Sequence, residues 1–248
     1  MRIRTLAHVW SPQLRNRRHV DVYLPPSYSA GRERYPVVYM QDGQNLSDPD
    51  MAFAGTWELE ETIDHLSAKG IEAIMVGVHH AGEARIAEYS PFPDRRHGGG
   101  DADAYLDFLV DTVKPRIDRL FRSRPGREST FILGSSMGGL ISLYALLQRG
   151  AVFGGAGVMS AALWYGQGRI FDVVSAAAPA GRFYVDVGTY EGLGTLRNAR
   201  RLARLLTRRG WRRKNGLLRY VEDVRGRHSE ADWARRLPGA LEFLLNGA

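Results

Sequence analysis

Short apolar runs of β character recur along the chain and alternate with longer stretches in which apolar residues return every three or four positions. The short runs cover residues 19–24, 36–40, 73–78, 131–133, 156–159, 183–187 and 217–221. Most are continuous rather than alternating, which is the pattern of strands covered on both faces. Helical spacing occupies residues 57–69, 102–120, 137–148, 168–177, 196–209 and 229–245. Strands separated by helix-length segments predict an α/β fold, a mostly parallel twisted sheet with helices on both faces. No Ser/Pro-rich linker divides the chain, and Gly98-Gly99-Gly100 reads as a loop ahead of a helix, so residues 1–248 are expected to form one domain. Between Ser160 and Gly181 there is too little chain for a large helical lid with its own core.

Composition adds bounds to this picture. With 248 residues, 44% of them hydrophobic, the chain can bury a full core. It contains no cysteine, which excludes disulfides and thiolate metal sites. The first residues, Met1 to His8, lack the apolar core of a signal peptide, and no stretch is long enough to cross a bilayer; a soluble, cytoplasmic protein is expected. The net charge is +7, and nine basic residues crowd the segment from Arg197 to Lys214. There, however, Leu196, Ala199, Leu202, Ala203 and Leu206 recur at helical spacing, so the arginines fall on the solvated face of an amphipathic helix. No nucleic-acid motif accompanies them, and nucleic-acid binding is not expected.

The chemistry concentrates at Gly134-Ser135-Ser136-Met137-Gly138-Gly139, which follows the run at 131–133 and precedes the helical pattern at 137–148. A tight strand-to-helix turn lifts a serine hydroxyl out of the sheet to where substrate and base can reach it. Only Ser136 has glycine both two residues before and two residues after it, which makes it the candidate nucleophile. Of the seven histidines, six precede Ser136 and only His228 follows it, on the loop after the final strand run. Ser229 and Asp232 resemble a capping start for the final helix, placing His228 at the carboxyl edge of the sheet as the candidate base. The acid should leave a strand end between them. Asp186 and Glu191 compete: Asp186 lies within the strand run, whereas Glu191 follows the Gly188-Thr189 turn and would reach over the carboxyl end, which favours Glu191. The oxyanion of an acyl-transfer intermediate needs two backbone N–H donors, and these are expected from Met137 and, after the sharp turn at Asp42-Gly43, from Gln44.

Together these segments resemble the Putative esterase branch of the α/β-hydrolases, which includes esterase D, the feruloyl esterases, the enterochelin esterases and the antigen 85 mycolyltransferases. Val22-Tyr23-Leu24-Pro25-Pro26 looks like the entry strand of that branch. Asp42-Gly43-Gln44-Asn45-Leu46 resembles its oxyanion loop, Gly188-Thr189-Tyr190-Glu191 its acid loop, and His228 to Trp233 with Arg236-Leu237-Pro238 its histidine loop and terminal helix. The resemblance implies an α/β-hydrolase fold and a Ser136, His228, Glu191 triad, with Gln44 and Met137 as oxyanion donors and no cofactor or metal. It also draws in Arg85, which with Glu88-Tyr89-Ser90-Pro91 looks like a family segment, as either an ion-pair partner or a substrate contact. Trp164 resembles a family tryptophan near the active site.

Trp57, Phe92, Trp164, Tyr165 and Tyr190 sit near predicted strand ends and are candidates for an apolar or aromatic pocket, or for core packing. The expected activity is serine ester hydrolysis through an acyl-enzyme, on a small or aromatic or siderophore-type ester. An acyltransferase or peptidase with the same triad, and a homologue that only binds, are the alternatives.

Overall fold

The computed structural model describes residues 2–50, 52 and 55–246. Its eight strands are β1 (Arg2–Ser11), β2 (Asn16–Leu24), β3 (Val37–Gln41), β4 (Ile74–Val78), β5 (Thr130–Ser135), β6 (Gly155–Met159), β7 (Arg182–Gly188) and β8 (Leu218–Asp223). They form one sheet in the order β1-β2-β4-β3-β5-β6-β7-β8. The pairs β1–β2 and β2–β4 are antiparallel, and every pair from β4–β3 to β7–β8 is parallel. This is the α/β-hydrolase arrangement, a mostly parallel sheet whose antiparallel strands are confined to one edge.

Among the described residues seven helices connect the strands and an eighth follows β8: α1 (Leu59–Ser67), α2 (Arg85–Tyr89), α3 (Ala102–Asp107), α4 (Lys114–Leu120), α5 (Met137–Gln148), α6 (Ile170–Ala176), α7 (Leu193–Arg209) and α8 (Glu230–Leu245). Because side chains alternate across a strand, each central strand feeds two cores. Val37 and Tyr39 of β3 join Ile132 of β5, α3 to α6 and Leu202 and Leu206 of α7 on one face. Val38 and Met40 join Phe131, Leu133, α1 and α8 on the other. The near-continuous apolar runs thus reflect burial on both sides.

All seven sequence-expected strands are present, but β1 was not among the expected ones. It lies at the sheet edge with most of its side chains exposed, and its pairing shifts between Leu6 and Val9, where His8 adopts φ 51°. A bulged, solvent-facing strand carries neither a clean alternation nor an apolar run. The helix expected over 102–120 is continuous but changes gauge. A wide π turn, Phe108–Val113, separates α3 from α4. It ends at Val113, one residue short of the Lys114-Pro115 start of α4, and Pro115 has no N–H to donate to the preceding turn. Among the described residues no large lid covers the carboxyl edge: β6 and β7 are joined through the short α6. Among the described residues, no helix is long and apolar enough to cross a membrane.

Candidate active site

Ser136 sits between β5 and α5 with φ 55° and ψ −119°, a conformation costly for any residue with a side chain. The surroundings hold it there. Its N–H donates to the Met159 carbonyl at 3.0 Å, and its own carbonyl accepts from Leu140 at 3.1 Å and Ala162 at 2.9 Å. The flanking glycines are steric requirements: a Cβ on Gly134 would lie 2.7 Å from the Gly138 backbone, and one on Gly138 would lie 2.9 Å from Gln41 Cβ. Met137 is the first residue of α5, where an N–H has no acceptor within its own helix and is free to face a ligand.

The second loop begins at the end of β3. Asp42 takes a left-handed conformation, φ 54°, and opens a single 3₁₀ turn, Gly43–Asn45, which carries Gln44. Arg85 grips Asp42 from the first position of α2, and the Asp42 N–H donates to the Tyr89 hydroxyl at 3.2 Å. The helix is itself anchored by Glu88, which accepts two hydrogen bonds, at 2.7 and 2.8 Å, from the buried guanidinium of Arg18.

Glu191 and His228 reach Ser136 from the loops after β7 and β8. The Glu191 side chain is fully buried, whereas that of His228 is 44% exposed. His228 Nδ1 lies 2.9 Å from Glu191 Oε2, and Nε2 lies 3.1 Å from Ser136 Oγ. Burial alone would raise the Glu191 carboxyl, but hydrogen bonds from His228, Ser160 and the Gly188 N–H outweigh it and hold the group below its ordinary value. A charged carboxylate only accepts, so Nδ1 donates to it and Nε2 keeps a lone pair toward the serine hydroxyl. The two loops are laced together: Thr189 N–H donates to Asp223, Tyr190 N–H to Gly226, and Arg225 N–H to the Thr189 hydroxyl, at 2.8–2.9 Å. A Cβ on Gly188 would overlap the Gly226 carbonyl, so this close approach needs glycine. Ser229 caps α8 as expected, its hydroxyl accepting from Asp232 N–H at 3.4 Å.

A cavity of about 400 Å³ opens beside Ser136, lined by Asp42, Gln44, Asn45, Trp57, His80, Arg85, Ser135, Glu230 and Trp233. The indoles of Trp57 and Trp233 lie 5.9 Å apart within this wall. Burial lowers the His80 imidazole and raises the Glu230 carboxyl, each disfavouring its charged form.

Residues 11–244 match the sequence model of the family described as Putative esterase. The chain belongs to this family. It is therefore an ester-hydrolysing enzyme, and its chemistry is carboxylic ester hydrolysis. A Bacillus subtilis protein named "Uncharacterized protein YbbA" is 31% identical over 182 residues, spanning 71% of this chain and 69% of that one. The "Endo-1,4-beta-xylanase/feruloyl esterase" of Xylanibacter ruminicola is 27% identical over 61% of this chain, a match that occupies 20% of that larger protein. The "Siderophore triacetylfusarinine C esterase" of Aspergillus fumigatus is 29% identical over 54% of this chain and 47% of its own. Among solved structures, the enterobactin esterase FES of Shigella flexneri superposes with a TM-score of 0.81 at 18% identity, covering 98% of this chain and 58% of that one. A ferulic acid esterase superposes at 0.76 with 20% identity and 99% of both chains covered. At these identities the two structures share the fold.

Of the residues singled out in the esterase sequence, Ser136, His228 and Glu191 meet in one hydrogen-bonded line, with Gln44 beside them in the cavity wall. Asp186 does not join them. It is buried, touches Ser160, Tyr184 and Arg236, and has no contact with His228. Trp57 and Arg85 line the cavity, and Arg85 is also the ion-pair partner of Asp42. Trp164 and Tyr190, expected near the pocket, are absent from its lining and are 55% and 62% exposed; Trp164 instead packs against His97 and Tyr165. Phe92 and Tyr165 are core residues. Proximity to a strand end fixes where a backbone lies, and the direction of the side chain decides the rest. His80 and Ser160 are site neighbours to which no sequence signal pointed, and Glu230 lies in the segment likened to the histidine loop without having been expected in the cavity wall.

Proposed function

We propose that residues 1–248 act as one serine carboxylesterase domain in which Ser136 is the nucleophile, His228 the base and Glu191 the residue that orients it. His228 Nε2 takes the hydroxyl proton as Ser136 Oγ bonds to the ester carbonyl carbon. The carbonyl oxygen becomes an oxyanion between the N–H groups of Gln44 and Met137. Collapse breaks the ester C–O bond, and the proton on Nε2 leaves with the alcohol. Water then repeats the sequence on the acyl-enzyme, releasing the carboxylic acid and restoring Ser136. What supports this reading is the unbroken relay from Ser136 Oγ through both ring nitrogens of His228 to Glu191, at 3.1 and 2.9 Å.

Water is the favoured acyl acceptor because the half-exposed His228 stands open to solvent, with no lid among the described residues to shelter the acyl-enzyme. The paired indoles and the Arg85 and His80 groups in the wall suit a small or aromatic ester with polar substituents. Relatives whose names include feruloyl, triacetylfusarinine C and enterobactin esterase favour an aromatic or siderophore-type substrate. Ser136→Ala should abolish both turnover of p-nitrophenyl acetate and covalent labelling by a fluorophosphonate; a variant that still turns over overturns the assignment. Comparing matched esters and amides separates an esterase from a peptidase.

A further inference from the structure

We infer that Ser160 is a positioning residue of this reaction: its hydroxyl sets the orientation of Glu191 and, through Glu191 and Trp233, that of the His228 imidazole. The inference rests on the triad proposed above. Ser160 follows β6 with φ 44°, a left-handed conformation unfavourable for serine, and its N–H donates to the Asp186 carbonyl at 3.0 Å. A hydroxyl has one proton and two lone pairs, and here all three are assigned by their partners. The Glu191 carboxylate can only accept, so the proton goes to Oε1 at 2.5 Å. Trp233 Nε1 and Arg236 Nη2 can only donate, so the lone pairs receive them at 3.0 and 2.9 Å. No other arrangement of hydrogens satisfies this set.

The consequence falls on Glu191. Its Oε1 is held by Ser160 and by the Gly188 N–H at 2.7 Å, with Arg236 3.4 Å away, which leaves Oε2 directed at His228. The ring of Trp233, itself tethered to Ser160, stands edge-on to the His228 imidazole with centroids 4.8 Å apart. One hydroxyl therefore braces the imidazole from two sides. Its partners are Glu191, Trp233 and Arg236 and not Ser136 Oγ, so it acts through these neighbours.

Ser160→Gly tests the hydroxyl without a backbone conflict, because glycine adopts positive φ freely. With p-nitrophenyl acetate, Ser160→Gly and Ser160→Ala should both lose about ten- to hundredfold in kcat, with KM within about threefold, as expected for a base displaced rather than a pocket lost. Trp233→Phe added to Ser160→Gly should lower kcat by less than it does alone, since both changes cut the same link. Wild-type kcat in Ser160→Gly overturns the inference, as does a loss that merely tracks the folded fraction by circular dichroism. Ser136→Ala run in parallel separates the two readings. If it retains turnover, the triad itself fails; if it is inactive while Ser160→Gly is not, only the role of Ser160 falls.

Discussion

Arg85 holds Asp42 with two parallel hydrogen bonds, Nε to Oδ1 at 2.7 Å and Nη2 to Oδ2 at 2.8 Å, and so ties α2 to the turn that carries Gln44. A planar guanidinium fixes a carboxylate in orientation as well as position, which a lysine would not do. Because the oxyanion donor proposed at Gln44 is useful only when already in place, the clamp should matter more to rate than to stability. We expect Arg85→Gln to lower kcat about tenfold to hundredfold on p-nitrophenyl acetate. The accompanying loss in urea unfolding should be about 1–2 kcal/mol, because the pair is partly solvated.

Gly188 and Gly239 make a contrasting pair. Gly188→Ala drives a methyl into the Gly226 carbonyl and should part the acid loop from the histidine loop, costing about 1–3 kcal/mol and more than about a hundredfold in kcat/KM. Gly239 lies inside α8, and a Cβ there would meet nothing within 4 Å, so Gly239→Ala should stabilise by about 0.5–1 kcal/mol and leave turnover unchanged. Thermal unfolding and steady-state kinetics of the two variants check both halves.

Burial pushes the Asp186 carboxyl up to about 7, with Arg236, Tyr184 and the Ser160 N–H only partly opposing it. A carboxyl raised on folding binds its proton more tightly in the native state than in the unfolded one. Its contribution to stability therefore declines as pH rises from about 4 to about 7, and is flat beyond. Asp186→Asn lacks this titration, so its stability relative to the parent should climb across that window, measured by urea unfolding at several pH values.

Kinetics separate the two carboxylates. Glu191→Gln presents an amide to His228 and should lose about a thousandfold or more in kcat, while Asp186→Asn, which has no contact with the imidazole, should stay within about tenfold.

Trp57 lies 3% exposed in the cavity wall, and Trp164 stands 55% exposed outside it. For an aryl ester, Trp57→Leu should raise KM by about tenfold through lost ring contact, and Trp164→Ala should leave KM within about twofold.

Much of this was legible in the sequence for reasons that are themselves physical. Buried parallel strands need apolar residues on both faces, so β3, β4 and β5 announce themselves. The elbow announces itself through Gly134 and Gly138, because backbone packs where a Cβ would be. The single histidine after Ser136 left one candidate base. Strand β1 was hidden because an exposed, bulged edge needs no apolar pattern. Ser160 was hidden because its partners, Glu191, Trp233 and Arg236, are distant in sequence and meet only after β6, β7 and α8 have packed together. Trp164 misled because its neighbourhood was readable and its direction was not.

The placement of Trp233 and Arg236 on α8 has a bearing on biosynthesis. A nascent chain halted before α8 already contains Ser136, Glu191 and His228, yet lacks the indole and guanidinium that meet Ser160 beneath the acid. A large part of the rate should therefore be gained in one step, when that helix docks, rather than growing with each element added. Full activity of the esterase would then wait on the docking of α8, the element that braces the partners of the strained serine last.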